Sequence, residues 1–235
     1  MRTIYRTVGD EQQVVYTPRR WKGDGARPVV ILGLGSGSPW THMLWGGAMQ
    51  PVAKVVTDLG WAAACGTFGG DGFGNAVAMQ RITDLVDYCQ SPAVGAASGP
   101  VGLAGFSMGA QNMLVWAALN PARSRFVWAT GPLVDVATID GASELEAAYV
   151  GGWSEAAYGS TSNPKTLAAA GKYSGIPIEL TYASDDPVIV PASVTAFAAA
   201  TGARAQSVGA IGHDWVIPQH PTSIAALKTL IEEES

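Results

Sequence analysis

Ser107 stands with a glycine two residues away on each side, in Gly105-Phe106-Ser107-Met108-Gly109, and this segment constrains the chain more than any other. The stretch before it, Gly99 to Ala104, is short and apolar, while Ala110 to Leu119 after it is helix-forming and stops at Asn120-Pro121. A strand that turns directly into a helix about a serine holds that serine in a strained conformation, and larger flanking side chains would collide with the turn. This is the pattern of a nucleophile elbow. The following helix points its N-terminal N–H groups back at the serine, where negative charge develops during acyl transfer.

Strands and helices alternate along the rest of the chain. Two strands are expected at Thr3–Thr7 and Gln12–Tyr16, then a polar turn at Lys22–Gly25. Pro28–Leu32 is an uninterrupted apolar run, the mark of a strand buried on both faces of a parallel sheet. Further strands are predicted at Trp61–Cys65, Val101–Gly105, Arg125–Thr130 and Ile176–Ala183, with a weaker one at Ala203–Ala210. Helices are predicted at Ala48–Leu59 with Pro51 in the first turn, Ala76–Cys89, Met108–Leu119, Pro191–Ala200 and Thr222–Glu233. This alternation implies a three-layer α/β/α sandwich around a mostly parallel sheet. Between Gly131 and Gly175 it stops, in a segment rich in Ala, Gly, Ser and Tyr with two short helices expected at Ser143–Tyr149 and Glu155–Tyr158. That is too long for a simple connection and reads as a small cap over a site. With no internal repeat and no linker, residues 1–235 are expected to form one domain carrying this insertion at about 131–175.

The bulk properties exclude several function classes. A chain 48% hydrophobic and 14% charged can bury a sizeable core. Net charge is −5 without a Lys/Arg cluster, which argues against a nucleic-acid partner. No apolar run reaches the about 20 residues of a membrane helix, and the N-terminal Met1–Arg6 lacks the apolar core of a secretory signal, so a cytoplasmic or phage-associated location, or export by a route the sequence does not display, is expected. Cys65 and Cys89 are expected to be half-buried thiols, although spacing leaves their pairing open. No cluster has zinc-ligand spacing, and no metal or cofactor is called for.

An activated serine needs a base, normally histidine. His213, in the Val208–Asp214 loop after the last strand, holds the late position of the order serine, acid, histidine. His220 before Pro221 suits a structural or exposed role, and His42 is placed to line the site. For the acid, Asp186 of Ser184-Asp185-Asp186-Pro187-Val188 is chosen, with Asp185 as a turn or cap residue and Asp135 as the outside candidate. The oxyanion hole needs two backbone donors: Met108 N–H, and one from Gly33-Leu34-Gly35-Ser36-Gly37, where Leu34 is favoured over Gly35. Neither this glycine run nor Gly69-Gly70-Asp71-Gly72-Phe73-Gly74 fits a phosphate, dinucleotide or calcium template, and the second is taken as a flexible loop at a strand end.

Together, Gly-Phe-Ser-Met-Gly, the Asp-Asp-Pro-Val loop and Ile-Gly-His resemble the α/β-hydrolase superfamily over essentially the whole chain from Val29 onward. The resemblance implies an eight-stranded, mostly parallel sheet with the triad on loops at its C-terminal edge. It also marks one departure, Leu32-Gly33 where many members have His-Gly. The Phe68–Asn75 loop and the Ser-Asp-Asp-Pro segment are similar to hydrolases encoded by actinobacteria and their phages, which would imply a cell-envelope ester as target.

The expected reaction is hydrolysis of a carboxylic ester with an apolar acyl or alcohol part, on a small-molecule or lipid-like substrate, without a cofactor. Gly33, Gly35, Trp40, Trp153 and Trp215, with Trp45 beside them, are the candidates for the walls of an apolar pocket. A peptidase or amidase would use the same triad. A binding module on a hydrolase scaffold would be expected to show a damaged one, and here all three residue types are present.

Overall fold

Strands β1 (Arg2–Val8), β2 (Glu11–Thr17), β3 (Val29–Gly33), β4 (Ala62–Cys65), β5 (Val101–Phe106), β6 (Ser124–Thr130), β7 (Ile178–Tyr182) and β8 (Arg204–Ser207) form one sheet in the order β1-β2-β4-β3-β5-β6-β7-β8. The computed structural model describes residues 1–235 except Gly9, Asp10, Leu44, Trp45, Gly46, Ala48 and Asp140, and except the side chains of Trp40 and Met43. Pairing is antiparallel for β1/β2 and β2/β4 and parallel for the remaining pairs. The sheet is therefore eight-stranded and mostly parallel, as expected.

Alternating side chains of the buried strands feed two cores. Val29, Ile31 and Leu103 face a layer that includes α2 (Ala76–Gln90), α3 (Met108–Leu119) and α7 (Pro191–Thr201). Val30, Leu32 and Trp128 face α1 (Gln50–Asp58) and α9 (Pro221–Glu233). Helix α3 is buried on every side from Met108 to Ala118, because sheet, α2 and the inserted segment enclose it. Two polar side chains within it, Gln111 and Asn112, are also buried.

Predicted elements and observed ones coincide closely where a hydrophobic period is strong. Helix α1 begins at Gln50, with Pro51 in its first turn as expected; Ala48 lies outside the described residues. Strand β8 ends at Ser207, short of the predicted Ala210, because the chain leaves the sheet edge there. Among its described residues the 131–175 insertion holds three α-helices rather than two, α4 (Ser143–Ala148), α5 (Glu155–Ser162) and α6 (Pro164–Ala169), after a 3-10 turn at Val136–Ile139. Asn163 accepts from Lys165 N–H ahead of Pro164, a helix start whose capping residue and proline are both legible in the sequence. A short helix α8 (Val216–Gln219) also precedes α9.

Cys65 and Cys89 are both fully buried and free, deeper than the half-buried expectation. Burial pushes the Cys65 thiol well above its ordinary value and the Cys89 thiol up to about 12, so neither is poised to react. Among the described residues, no helix is long and apolar enough to cross a membrane.

Candidate active site

The site forms where parallel strands β3 and β5 lie side by side with Gly33 paired to Gly105. The chain goes from β3 to its neighbour on one side and from β5 to its neighbour on the other. Such a switch point opens a crevice at the carboxyl ends of the strands. Ser107 follows β5 with φ 55° and ψ −124°, a conformation that costs a non-glycine residue about 1–3 kcal/mol. Its N–H donates to Thr130 O at 3.0 Å, and its carbonyl accepts from Gln111 N–H at 3.1 Å, which fixes the turn between sheet and helix. A Cβ on Gly105 would lie 2.6 Å from Ala110 N, and one on Gly33 would lie 2.5 Å from Gly109 O. These contacts show why the elbow has glycines and why the end of β3 sits against the start of α3. They also correct the expectation for Gly33, which packs backbone on backbone and lines none of the clefts around Ser107.

Three side chains from three loops meet in line. Ser107 Oγ is 2.9 Å from His213 Nε2, and His213 Nδ1 is 2.7 Å from Asp186 Oδ2. A carboxylate only accepts, so Nδ1 carries the proton and Nε2 accepts from the Ser107 hydroxyl. The other oxygen of Asp186 accepts from Val188 N–H at 2.8 Å and Ile189 N–H at 2.7 Å, which locks the buried carboxylate towards the imidazole. Asp185 points elsewhere and accepts from Gly212 N–H at 2.7 Å, tying the acid loop to the histidine loop. Asp135 is engaged by Lys165 at 2.8 Å and by Asn163 at 3.3 Å. His220 caps α9, its Nδ1 accepting from Thr222 N–H at 3.2 Å.

Aromatic rings back the imidazole. Phe106 stacks on His213 with centroids 5.0 Å apart, Trp215 packs on Phe106 at 4.5 Å, and His42 meets Trp215 edge-on at 5.4 Å. Trp215 thus supports the histidine from behind, and Gly35 fits against it: a Cβ there would come within 3.4 Å of the indole. Trp153 is buried in the insertion and donates its indole N–H to Ser162 Oγ at 3.1 Å, a packing role that overturns its assignment to the pocket wall. Trp40 lies in a short 3-10 turn, Trp40–Met43, beyond the glycine loop that follows β3; its side chain, and all of Trp45, fall outside the described residues.

Two small clefts flank Met108. One, of about 180 Å³, holds Ser107 and is walled chiefly by Phe73, Leu133, Ile139, Val188 and Ile189. The other, of about 230 Å³, is bordered by Leu34, Gly35, Gly37, Gly70 and Asp71. Leu133, Ile139, Ala142 and Glu144 of the insertion border the first, whereas α5 and α6 pack against α3 as part of the helical layer.

No protein-family model matches the chain, and no curated protein sequence matches it. Solved structures do. An S-formylglutathione hydrolase from Agrobacterium tumefaciens superposes with a TM-score of 0.78 at 15% identity, over 99% of this chain and 95% of that one. FphF, a fluorophosphonate-binding serine hydrolase of Staphylococcus aureus, gives 0.74 at 12% identity over 97% of each chain. Est1E from Butyrivibrio proteoclasticus gives 0.71 at 13% identity over 99% of this chain and 98% of that one. The chain has the α/β-hydrolase fold.

On this α/β-hydrolase fold, residues beyond those read from the sequence shape the site. Asp71 Oδ1 accepts from Gly37 N–H at 2.7 Å, joining the glycine loop after β4 to the loop after β3. That glycine loop is tied down, contrary to the flexibility its composition suggested. Glu11 accepts from Phe68 N–H at 2.9 Å and Gly69 N–H at 3.1 Å, Gln111 and Tyr149 both donate to Phe73 O, and Asn112 accepts from Gly74 N–H at 2.6 Å. The two buried polar residues of α3 thus fasten this loop to the helix that carries Ser107. Only the burial of two amides in an apolar helix hinted at such a role. The similarity of this loop to actinobacterial and phage hydrolases finds no support among these neighbours.

Proposed function

We propose that the protein is a serine hydrolase that cleaves a carboxylic ester with an apolar part through an acyl-enzyme. The observation that carries the reading is the unbroken hydrogen-bonded chain from Ser107 through His213 to Asp186 at the crevice of the sheet. His213 takes the Ser107 proton as Oγ attacks the ester carbonyl, and Asp186 holds the imidazole in the tautomer that accepts it and stabilises the imidazolium. The N–H groups of Met108 and Leu34 receive the oxyanion, the first at the start of α3 and the second on the loop that abuts it. The alcohol leaves with the proton from His213. Water, activated by the same imidazole, then releases the acid and frees Ser107. The apolar walls of the Ser107 cleft favour an uncharged acyl group. The solved neighbours, which include an S-formylglutathione hydrolase and a fluorophosphonate-binding serine hydrolase, lend support to this class of chemistry.

The test is covalent. A fluorophosphonate probe is expected to label the folded protein at Ser107, and mass spectrometry of the tryptic peptides locates it; His213→Ala is expected to abolish labelling. Turnover of short p-nitrophenyl esters with no turnover of matching anilides separates an esterase from an amidase. A folded protein that refuses the probe overturns the proposal.

Asp71 is a positioning residue in this scheme, since it holds the oxyanion loop by Gly37 N–H. Asp71→Ala is expected to lower kcat about tenfold or more, because an oxyanion donor misplaced by a fraction of an ångström loses much of its effect. Asp71→Asn, whose amide oxygen still accepts from Gly37, is expected to restore most of kcat. Equal rates in both variants would remove Asp71 from the scheme.

A further inference from the structure

We propose that three adjoining clefts form one binding track for a neutral amphiphilic ester: a short acyl group at Ser107, a hydroxyl-bearing unit in a polar neck, and an apolar tail in a groove between α2 and the inserted segment. This rests on the serine-hydrolase reading for its first section only. The Ser107 cleft, about 180 Å³, shares Glu144 with a second cleft of about 450 Å³. The second shares Asn75, Val77 and Ala148 with a third of about 610 Å³, the largest of the three. The second cleft is the more polar, with Asp71, Asn75, Ser143 and Glu144 in its lining beside Val77, Ala147 and Ala148. The groove beyond is walled by Met79, Leu119, Tyr149, Val150 and Tyr158, and its volume falls in the about 300–1,000 Å³ of small-molecule sites.

The groove is built and not incidental. Tyr149 OH donates to Phe73 O at 2.6 Å, Tyr158 OH donates to Val150 O at 3.0 Å, and Asn75 Nδ2 donates to Ala148 O at 2.9 Å. The two tyrosine rings also pack on each other at 4.6 Å. The bonds to Phe73 and Asn75 hold the insertion against the glycine loop, and the one between Tyr158 and Val150 lies within the insertion. At its rim Val77, Leu119 and Val150 are 55%, 43% and 96% exposed, three large apolar side chains gathered in water, as at a binding surface awaiting an apolar ligand.

The occupant follows from the order of these surfaces. Space beside the nucleophile is small, about 180 Å³ on one side of Met108 and about 230 Å³ on the other, so the acyl group is short. The two carboxylates of the neck accept hydrogen bonds and repel anions, so the part of the alcohol next to the scissile ester carries hydroxyl donors and no negative charge. Against Met79, Leu119, Val150 and the two tyrosine rings of the groove an apolar moiety gains by leaving water.

Three esters read the proposal: the 6-O-acetyl ester of octyl β-glucoside, the same ester of methyl β-glucoside, and octyl acetate. The first is expected to exceed each of the others in kcat/KM by tenfold or more. Its advantage over the methyl glucoside ester is expected to shrink towards unity in Val77→Asp and in Val150→Asp, both exposed positions where the fold tolerates charge. Ratios within twofold in the wild type, or an advantage that survives both substitutions, overturn the track. If Ser107 rejects the fluorophosphonate and no ester turns over, the hydrolase reading has failed by itself. The groove is then read by calorimetric titration of octyl β-glucoside, below its micelle concentration, into Ser107→Ala. Binding weakened tenfold by Val77→Asp supports the track, and no binding, or binding indifferent to Val77→Asp, overturns it.

Discussion

Ser107→Ala is expected to lower ester turnover by about 10⁶-fold while the protein stays folded. Ser107 Oγ is the only atom at the crevice within hydrogen-bond reach of His213 Nε2 among the described residues, so its removal leaves the base without a nucleophile to activate. What activity persists would come from water positioned at the oxyanion donors. The strained backbone adds a second readout. Alanine keeps the unfavourable φ of 55°, whereas glycine relieves it, so Ser107→Gly is expected to be inactive but more stable than Ser107→Ala by about 1 kcal/mol. Single-turnover kinetics and thermal melts of the two variants check both statements. A Ser107→Ala protein that retains a thousandth of wild-type activity would put the nucleophile elsewhere.

Asp186→Asn is expected to lower kcat by about 10⁴-fold. The carboxylate that accepts from His213 Nδ1–H is replaced by an amide whose other face is still claimed by the N–H groups of Val188 and Ile189. Those two donors require the amide oxygen, which turns the NH₂ towards Nδ1 and forces the imidazole into the tautomer that cannot take the serine proton. Asp135→Asn, by contrast, is expected to leave the rate within about twofold, because Asp135 faces Lys165 and Asn163. Kinetics of the two variants side by side decide the assignment. A crippled Asp135→Asn beside an unimpaired Asp186→Asn would reverse it.

The positions that the sequence predicted well share a physical cause. The strands at Val29 and Val101 announce themselves because a strand buried on both faces admits no polar interruption. The elbow is legible because its strain needs glycine at 105 and 109, whatever the rest of the fold does. The third helix of the insertion was within reach too, through Asn163-Pro164. Trp153 was misassigned because composition says that a tryptophan will be buried but not on which side of a wall. Gly33 was misassigned for a related reason: its lack of a side chain serves a backbone contact with Gly109, and that partner lies far along the chain.

The sequence by itself determined the layered α/β architecture, the strained serine and the three residue types in hydrolase order, since each depends on local backbone preference or on a short hydrophobic period. Tertiary structure alone decided which aspartate meets His213, because Asp185 and Asp186 differ only in the direction their loop turns them. It decided as well that Asp71 grips Gly37, that Gln111 and Asn112 fasten the glycine loop to the helix after Ser107, and that a polar cleft lies between the Ser107 cleft and the groove beside α2. These are contacts between segments tens of residues apart. No local propensity encodes them, and they exist only once the sheet has set the distances between its loops.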